Sequence, residues 1–414
     1  MVEQIKLKYG HASVDLQYEA GQFEVLSIPA ETLPLTDAEI NAAYDAPTAA
    51  PEIEDIAHGD ETVLLVVPDA TRQSGSAQTV TLLVQRLIAG GTAPGNIRII
   101  FATGIHRKVT QQEKNELLTP FIAQRIRLLD HDAFDAAKVI SFGKVDGIAV
   151  ELSRALLDAD KVILVGGVTF HYFAGFTGGR KLICPGLASA ETIRATHALA
   201  FDCVTHSRRE GVGTAMLAGN AVHRAFVEAA SLAEPAFGVN AIVDGAGYVT
   251  GVFCGDWYLS HEAACKAYER SRTVEISEKR PLVIASCGGY PYDVNLIQAH
   301  KALDAASHAC VDGGQIILLA ECADGLGRSD FLKWFEQPHA DRIADRLCRE
   351  YEVNGQTAWS LLKKAERFNV RLMSGLDDAN VRKMRMSPIK SLAHFGSERG
   401  FIIPSGASVR VRVT

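Results

Sequence analysis

The feature that most constrains this chain is a repeated order of elements: an apolar run of strand length, a polar loop, then a helical period. "ETVLLVVPDATR" (61–72) reads as a buried strand entering a polar loop. "SAQTVTLLVQRLIAGG" (76–91) follows as a helix closed by a glycine pair that suits a C-terminal cap. "NIRIIFATG" is the next strand, a helix is expected near Gln111 to Leu118, "RIRLLDHD" is a further strand, and "ELSRALLDADKVILVGG" reads as a helix and strand pair. Strands alternating with helices predict a doubly wound, mostly parallel sheet, and ligands of such sheets bind beyond the carboxyl ends of the strands. Three successive strands end in reactive side chains: Asp69, Thr71 and Arg72 after the first, Thr103, Gly104 and His106 after the second, His171 after "KVILVGG". They are expected to converge on one crevice.

The parallel pattern weakens at "FGVNAIVDGAGYVTGVFCGD", which reads as antiparallel strands around Gly-containing turns. The helix "SHEAACKAYERS" then leads to a second α/β pattern: the strand "PLVIASCGG", a helix over 295–310 and the strand "GQIILLAEC". A chain of 414 residues is too long for one ordinary core. The expectation is an α/β protein of two domains, 1–272 and 273–414, each with a mostly parallel sheet flanked by helices. A net charge of -7 gives no footprint for nucleic acid or an anionic membrane, so any anionic ligand must be caught by local groups. "MVEQIKLKYGHASVDLQ" alternates as a surface strand does and lacks the basic start and apolar run of a signal peptide. No stretch approaches the roughly 20 apolar residues of a membrane span, so a cytoplasmic protein is expected. The eight cysteines never fall into C-x-x-C pairs and read as small buried hydrophobes in a reducing compartment.

Several polar constellations stand out against this frame. "DATRQSG" sets Asp69 and Arg72 three residues apart after a strand. An arginine there suits planar recognition of a carboxylate or phosphate, or a local ion pair bracing the turn. "ATGIHRKVT" ends a strand with Gly then His; two imidazoles sharing one crevice would give an acid-base pair near neutral pH. "HYFAGFTGGRK" reads as an anion loop, with Gly178 and Gly179 allowing close backbone approach and Arg180 and Lys181 supplying charge. It matches neither nucleotide-binding glycine motif. Lys181 sits between "GGR" and "LICPG", and a lysine desolvated in such a setting can be a nucleophile or an attachment point. "SAETIRATHALA" reads as a helix capped by Ser189, or alternatively by Thr192, with His197 about two turns in as a core or surface residue, or a metal ligand. In "SCGGYPYDVNLIQAHKALDAA", Gln298 and Lys301 share one helix face.

Taken together, "DATR", "TGIH", "HYFAGFTGGRK", "PG", His197 and "GGYPYDVNLIQAHK" resemble the nickel-pincer-nucleotide-dependent lactate racemase family, in order and over most of the chain. The resemblance implies a racemase or epimerase of a small 2-hydroxy acid. Its cofactor would be a pyridinium mononucleotide whose two sulfur arms and one carbon hold nickel, tethered through a thioamide to Lys181. His197 would complete the metal's coordination, and His106 and His171 would be the catalytic acid-base pair. Arg72, Gln298 and Lys301 would orient the substrate, while Asp69, Thr71 and the Gly288-Gly289 turn would seat the cofactor or order the site. The resemblance also implies a cofactor site at the domain interface and separate maturation enzymes as partners. A dianionic carbanion is avoided if the α-hydrogen leaves as hydride and a planar 2-keto acid rotates before the hydride returns.

Other 2-hydroxy acids remain open, among them malate, longer aliphatic, aryl and sugar acids. Tyr172, Phe173 and Phe176 are candidates to shape the pocket. An arginine aimed at a second carboxylate would favour malate, with Arg107 and Arg180 as candidates. From other classes, an NAD-dependent dehydrogenase would show G-x-G-x-x-G where this chain has "PDATRQSG". A non-enzymatic anion-binding protein would have no use for His106, His171, Lys181 and His197 together.

Overall fold

The computed structural model describes residues 1–28, 33–392 and 398–414. In chain order the strands of its two main sheets are β1 (Phe23–Val25), β2 (Val63–Pro68), β3 (Ile97–Ala102), β4 (Arg127–Asp130), β5 (Lys161–Gly167), β6 (Phe237–Val243), β7 (Val249–Gly255), β8 (Arg280–Ser286), β9 (Cys310–Leu319), β10 (Asn369–Met373), β11 (Ser387–Ile389) and β12 (Gly400–Ile403). The first sheet has the order β7-β6-β5-β2-β3-β4, parallel except for the antiparallel pair β6 and β7. The second has the order β11-β10-β9-β8-β12-β1 and is parallel throughout. The two-sheet α/β architecture expected from the alternation is therefore present.

Strand β2 is buried at all six positions, because a parallel strand covered on both faces reads as a continuous apolar run. Helix α1 (Ser76–Ala89) turns Thr79, Val80, Leu83 and Leu87 inward, and its apolar members share a core with Val63, Leu65 and Val67. Burying such a side chain stabilises by about 1.5–3 kcal/mol. Past its C-terminus Gly91 adopts φ +101°, the left-handed residue the glycine pair promised. Helix α2 (Gln111–Arg125) is capped by Thr110 and Glu113 and breaks at Thr119, φ 65°, just before Pro120.

Three expectations are corrected. The segment "ELSRALL" does not open a helix: Ile148–Ser153 is a strand paired antiparallel with Val139–Val145, and only Arg154–Leu156 forms a 3-10 turn. Asp146 and Gly147, at φ 47° and 80°, make the tight turn between these strands. Second, the chain does not divide at one point near 272. Contacts group Met1–Ala30, Phe201–Arg209 and Glu269–Thr414 into one unit, outer in chain order, and Glu31–Ala200 and Glu210–Tyr268 into a second, inner in chain order. The cause lies at the N-terminus, where β1 pairs with β12 and Leu7 and Leu16 share a core with Leu282, Ile284, Ile317 and Ile402. Third, Cys203 and Cys348 form a disulfide, 145 residues apart in sequence, within the outer unit. The other six cysteines are free and buried. No helix among the described residues is long and apolar enough to cross a membrane.

Candidate active site

Strands β5, β2 and β3 are parallel neighbours, so the loops leaving their carboxyl ends emerge along the same edge of the first sheet. After β2, Asp69 is buried, and its Oδ1 accepts from the Thr71 N–H at 2.8 Å and the Thr71 hydroxyl at 2.5 Å. Its Oδ2 lies 2.7 Å from His106 Nδ1. Burial opposes ionisation of Asp69, but the His106 contact, the Arg72 charge and the Thr71 hydroxyl together hold its carboxyl well below the usual range. An ionised carboxylate only accepts, so His106 Nδ1 carries a proton, and the neutral form of the ring has its lone pair on Nε2. His106 itself stands 44% exposed on the turn opened by Gly104, φ +52°, whose added Cβ would meet the Pro185 carbonyl at 3.2 Å.

After β5 the chain makes a short antiparallel pair, Phe170–His171 against Ala174–Phe176. His171 is buried, and its Nδ1 accepts from the Ala174 N–H at 3.3 Å, which leaves the proton of a neutral ring on Nε2. The two histidines thus present opposite faces of proton chemistry: a lone pair on His106 and an N–H on His171.

Phe173 joins the rest of the segment. Its ring lies 4.4 Å from that of His171 and 5.2 Å from that of His197, both edge-on, and 5.6 Å from Lys181 Nζ. Phe226, on helix α4 (Ala221–Ser231), contacts the same pair from another side, 5.3 Å from His197 and 5.6 Å from Lys181 Nζ. His197 sits on helix α3 (Ala190–Ala198), capped by Ser189, whose side chain accepts from the Thr192 N–H. Its Nδ1 donates to the Ile193 carbonyl at 2.8 Å. Burial, then the Lys181 charge, pull His197 down to about 3 against that backbone bond, so the ring is neutral at ordinary pH. A neutral imidazole with Nδ1 committed to a carbonyl offers Nε2 to a metal. Among the described residues no group of three or more His, Cys, Asp or Glu could hold a metal ion. What the site offers a metal is the single His197 imidazole, which suits a metal whose other donors come with a cofactor.

Neither candidate second-carboxylate arginine has the expected setting. Arg107 is exposed and pairs with Glu113. Arg180 is fully buried and turned toward the carbonyls of Ala174 and Gly178. In the outer unit, Lys301 Nζ donates to Gln298 Oε1 at 2.8 Å on helix α6 (Leu296–Ala309). Gly288 and Gly289 both hold positive φ, 106° and 75°, and a Cβ on Gly289 would meet the Gly10 carbonyl at 2.8 Å, so that turn needs glycine. Residue-by-residue reading missed Phe226 and also His261 on helix α5 (Leu259–Arg272); both look like ordinary members of amphipathic helices.

The fold and site define an α/β protein whose strand ends carry two histidines, one held by a carboxylate and one by a backbone amide, with a lysine and a neutral imidazole sharing two aromatic neighbours. Comparison with known proteins narrows this. The family models for the lactate racemase N-terminal and C-terminal domains match residues 9–209 and 276–395. The chain is 30% identical over 389 residues to the lactate racemase of Thermoanaerobacterium thermosaccharolyticum, covering 90% of each chain. It is 31% identical over 294 residues to that of Lactiplantibacillus plantarum, covering 70% of this chain and 68% of the relative. The solved lactate racemase apoprotein of T. thermosaccharolyticum superposes with a TM-score of 0.90 at 27% identity, over 99% of this chain and 100% of that one. A Thermotoga maritima protein shares the fold, with a TM-score of 0.71 at 18% identity over 93% of this chain and 100% of that one. The chain belongs to the lactate racemase family and is an isomerase.

Proposed function

We propose that the protein racemises a small 2-hydroxy acid, lactate foremost, with a nickel-pincer nucleotide tethered to Lys181 and liganded by His197. The observation that carries this reading is the different partner at each Nδ1, the Asp69 carboxylate on His106 and the Ala174 N–H on His171, from which opposite proton placements follow for the neutral rings. A racemase must accept a hydroxyl proton and return one, and in this pair one neutral ring offers a lone pair and the other an N–H to the reacting oxygen. When bound, the cofactor supplies the acceptor and donor for the α-hydrogen as hydride. The chain's residues do the rest.

Arg72 holds the substrate carboxylate, and Gln298 and Lys301 add polar contacts to the substrate. His106 Nε2 takes the hydroxyl proton as the α-hydrogen leaves with its electron pair, giving a planar 2-keto acid. After that acid rotates, its carbonyl oxygen accepts a hydrogen bond from His171 Nε2–H and takes back the proton held on His106 as the α-hydrogen returns to the opposite face. Both rings end the turnover as they began, and exposed His106 can exchange its proton with solvent in between. Asp69, tied by Thr71, keeps the His106 lone pair on Nε2. Orientation of the reacting centre is a large part of such rates. Loading by separate maturation enzymes and a cytoplasmic location belong to the same proposal.

The test uses cofactor-loaded protein and single enantiomers of lactate, malate and larger 2-hydroxy acids in heavy water, read by chiral chromatography with mass detection. Inversion without deuterium at the α-carbon is expected; inversion with deuterium, or none for any acid, overturns the mechanism or the activity respectively. His197→Ala is expected to lose nickel while His106→Ala keeps it.

A further inference from the structure

Arg180 occupies a position its neighbour Lys181 does not explain. Its guanidinium is fully buried, a setting that normally requires a carboxylate partner. Here it donates to the Ala174 carbonyl at 2.6 Å and, more weakly, to the Gly178 carbonyl at 3.4 Å, and NH1 lies 3.1 Å from His261 Nε2. His261 in turn lies 2.9 Å from the Thr177 carbonyl through Nε2. Its ring sits so close under the loop that a Cβ on Gly179, φ +50°, would meet it at 2.5 Å. Ala174 is the residue whose N–H donates to His171 Nδ1. A continuous series of contacts therefore runs from the guanidinium through Ala174 to the ring nitrogen that decides where His171 carries its proton.

We propose that Arg180 is a positioning residue: by fixing Ala174 it holds His171 in the form with its proton on Nε2, and with His261 it braces the loop that joins His171 to Lys181. This rests on the reading of His171 as an acid-base group. A planar fork is suited to the task because it reaches two carbonyls at once, which a lysine ammonium on a flexible stem does less well. Burial of the cation is the consequence, since the carbonyls it gathers face into the loop. It also explains adjacent Arg and Lys with different duties: Arg180 turns to the backbone while Lys181 meets the Phe173 and Phe226 rings.

The test is nitrogen NMR of the full-length apoprotein labelled with 15N-histidine, with His171 assigned by its loss in His171→Gln. The wild-type chain is expected to show His171 protonated at Nε2 and unprotonated at Nδ1. Arg180→Met is expected to shift that ring toward a mixture of tautomers and, once loaded, to lower kcat about 100-fold with little change in KM, the scale of a small misplacement of a reacting group. Arg180→Lys is expected to fall between. A proton on Nδ1 in the wild type overturns the proposal. So does a folded Arg180→Met protein with unmoved His171 signals and normal kcat, since a merely structural arginine lowers thermal stability and leaves both unchanged. Should Arg180→Met not fold, Arg180→Gln and the wild-type spectrum decide in its place. The spectrum needs no turnover, so absence of racemase activity with the expected tautomer removes the functional reading and leaves this inference standing.

Discussion

The loops after β3 and β5 each deliver a histidine, yet they hold it by different means. His106 is exposed and is fixed by an ionised, buried carboxylate; His171 is buried and is fixed by a backbone amide. The carboxylate draws the proton onto Nδ1, whereas the amide excludes it from Nδ1. In the proposed scheme the same side chain therefore offers a lone pair in one loop and an N–H in the other, and the difference comes from the partner.

The largest test of that contrast removes the rings. His106→Ala and His171→Ala are each expected to lower kcat of loaded enzyme by roughly 10²- to 10⁴-fold, the range of general acid-base catalysis. If either keeps full turnover, the two-histidine scheme fails. Next in size, Asp69→Asn removes the charge that holds the His106 tautomer and is expected to cost roughly 10²-fold, near the lower end of that range. Histidine NMR of the same variant should show His106 altered and His171 unmoved, which separates the two holding devices. A smaller effect is accessibility. Diethyl pyrocarbonate with mass mapping should modify His106 before His171 in the apoprotein.

The smallest expected effect concerns stability. Burial, with the Arg180 charge, pulls His223 down to about 3 and His261 well below its ordinary value. Both rings are neutral in the fold, while the unfolded chain takes up protons below about pH 6.5. Their contribution is thus present above that pH and is lost as pH falls toward 3. The melting temperature of the apoprotein should drop by a few degrees between pH 7 and pH 5. An unchanged value would mean that these rings are not buried as neutral groups.

Much of this was legible in the sequence because it is local. The run "VLLVVP", the glycine pair after "RLIA" and the Ser189 cap each depend on residues close in the chain, and all appear in the structure. The family motifs also kept their linear order. The hairpin at Val139–Ser153 was missed although "VDG" carried the turn, because the short run "ELSRALL" satisfies a helical period as well as a strand's. Arg180 was read as a charge offered to a ligand; nothing in "GGRK" says which way the side chain turns.

The sequence by itself determined the α/β class, the strand ends where chemistry collects, and the residue types gathered there, since periodicity, caps and turn residues act over a few positions. Only the tertiary structure decided that Asp69 pairs with His106 across 37 residues, that Arg180 faces carbonyls, that Cys203 meets Cys348, and that Phe23–Val25 completes the second sheet. Hydrogen bonds and disulfides depend on atoms brought within a few ångströms, and that proximity is a property of the packed chain.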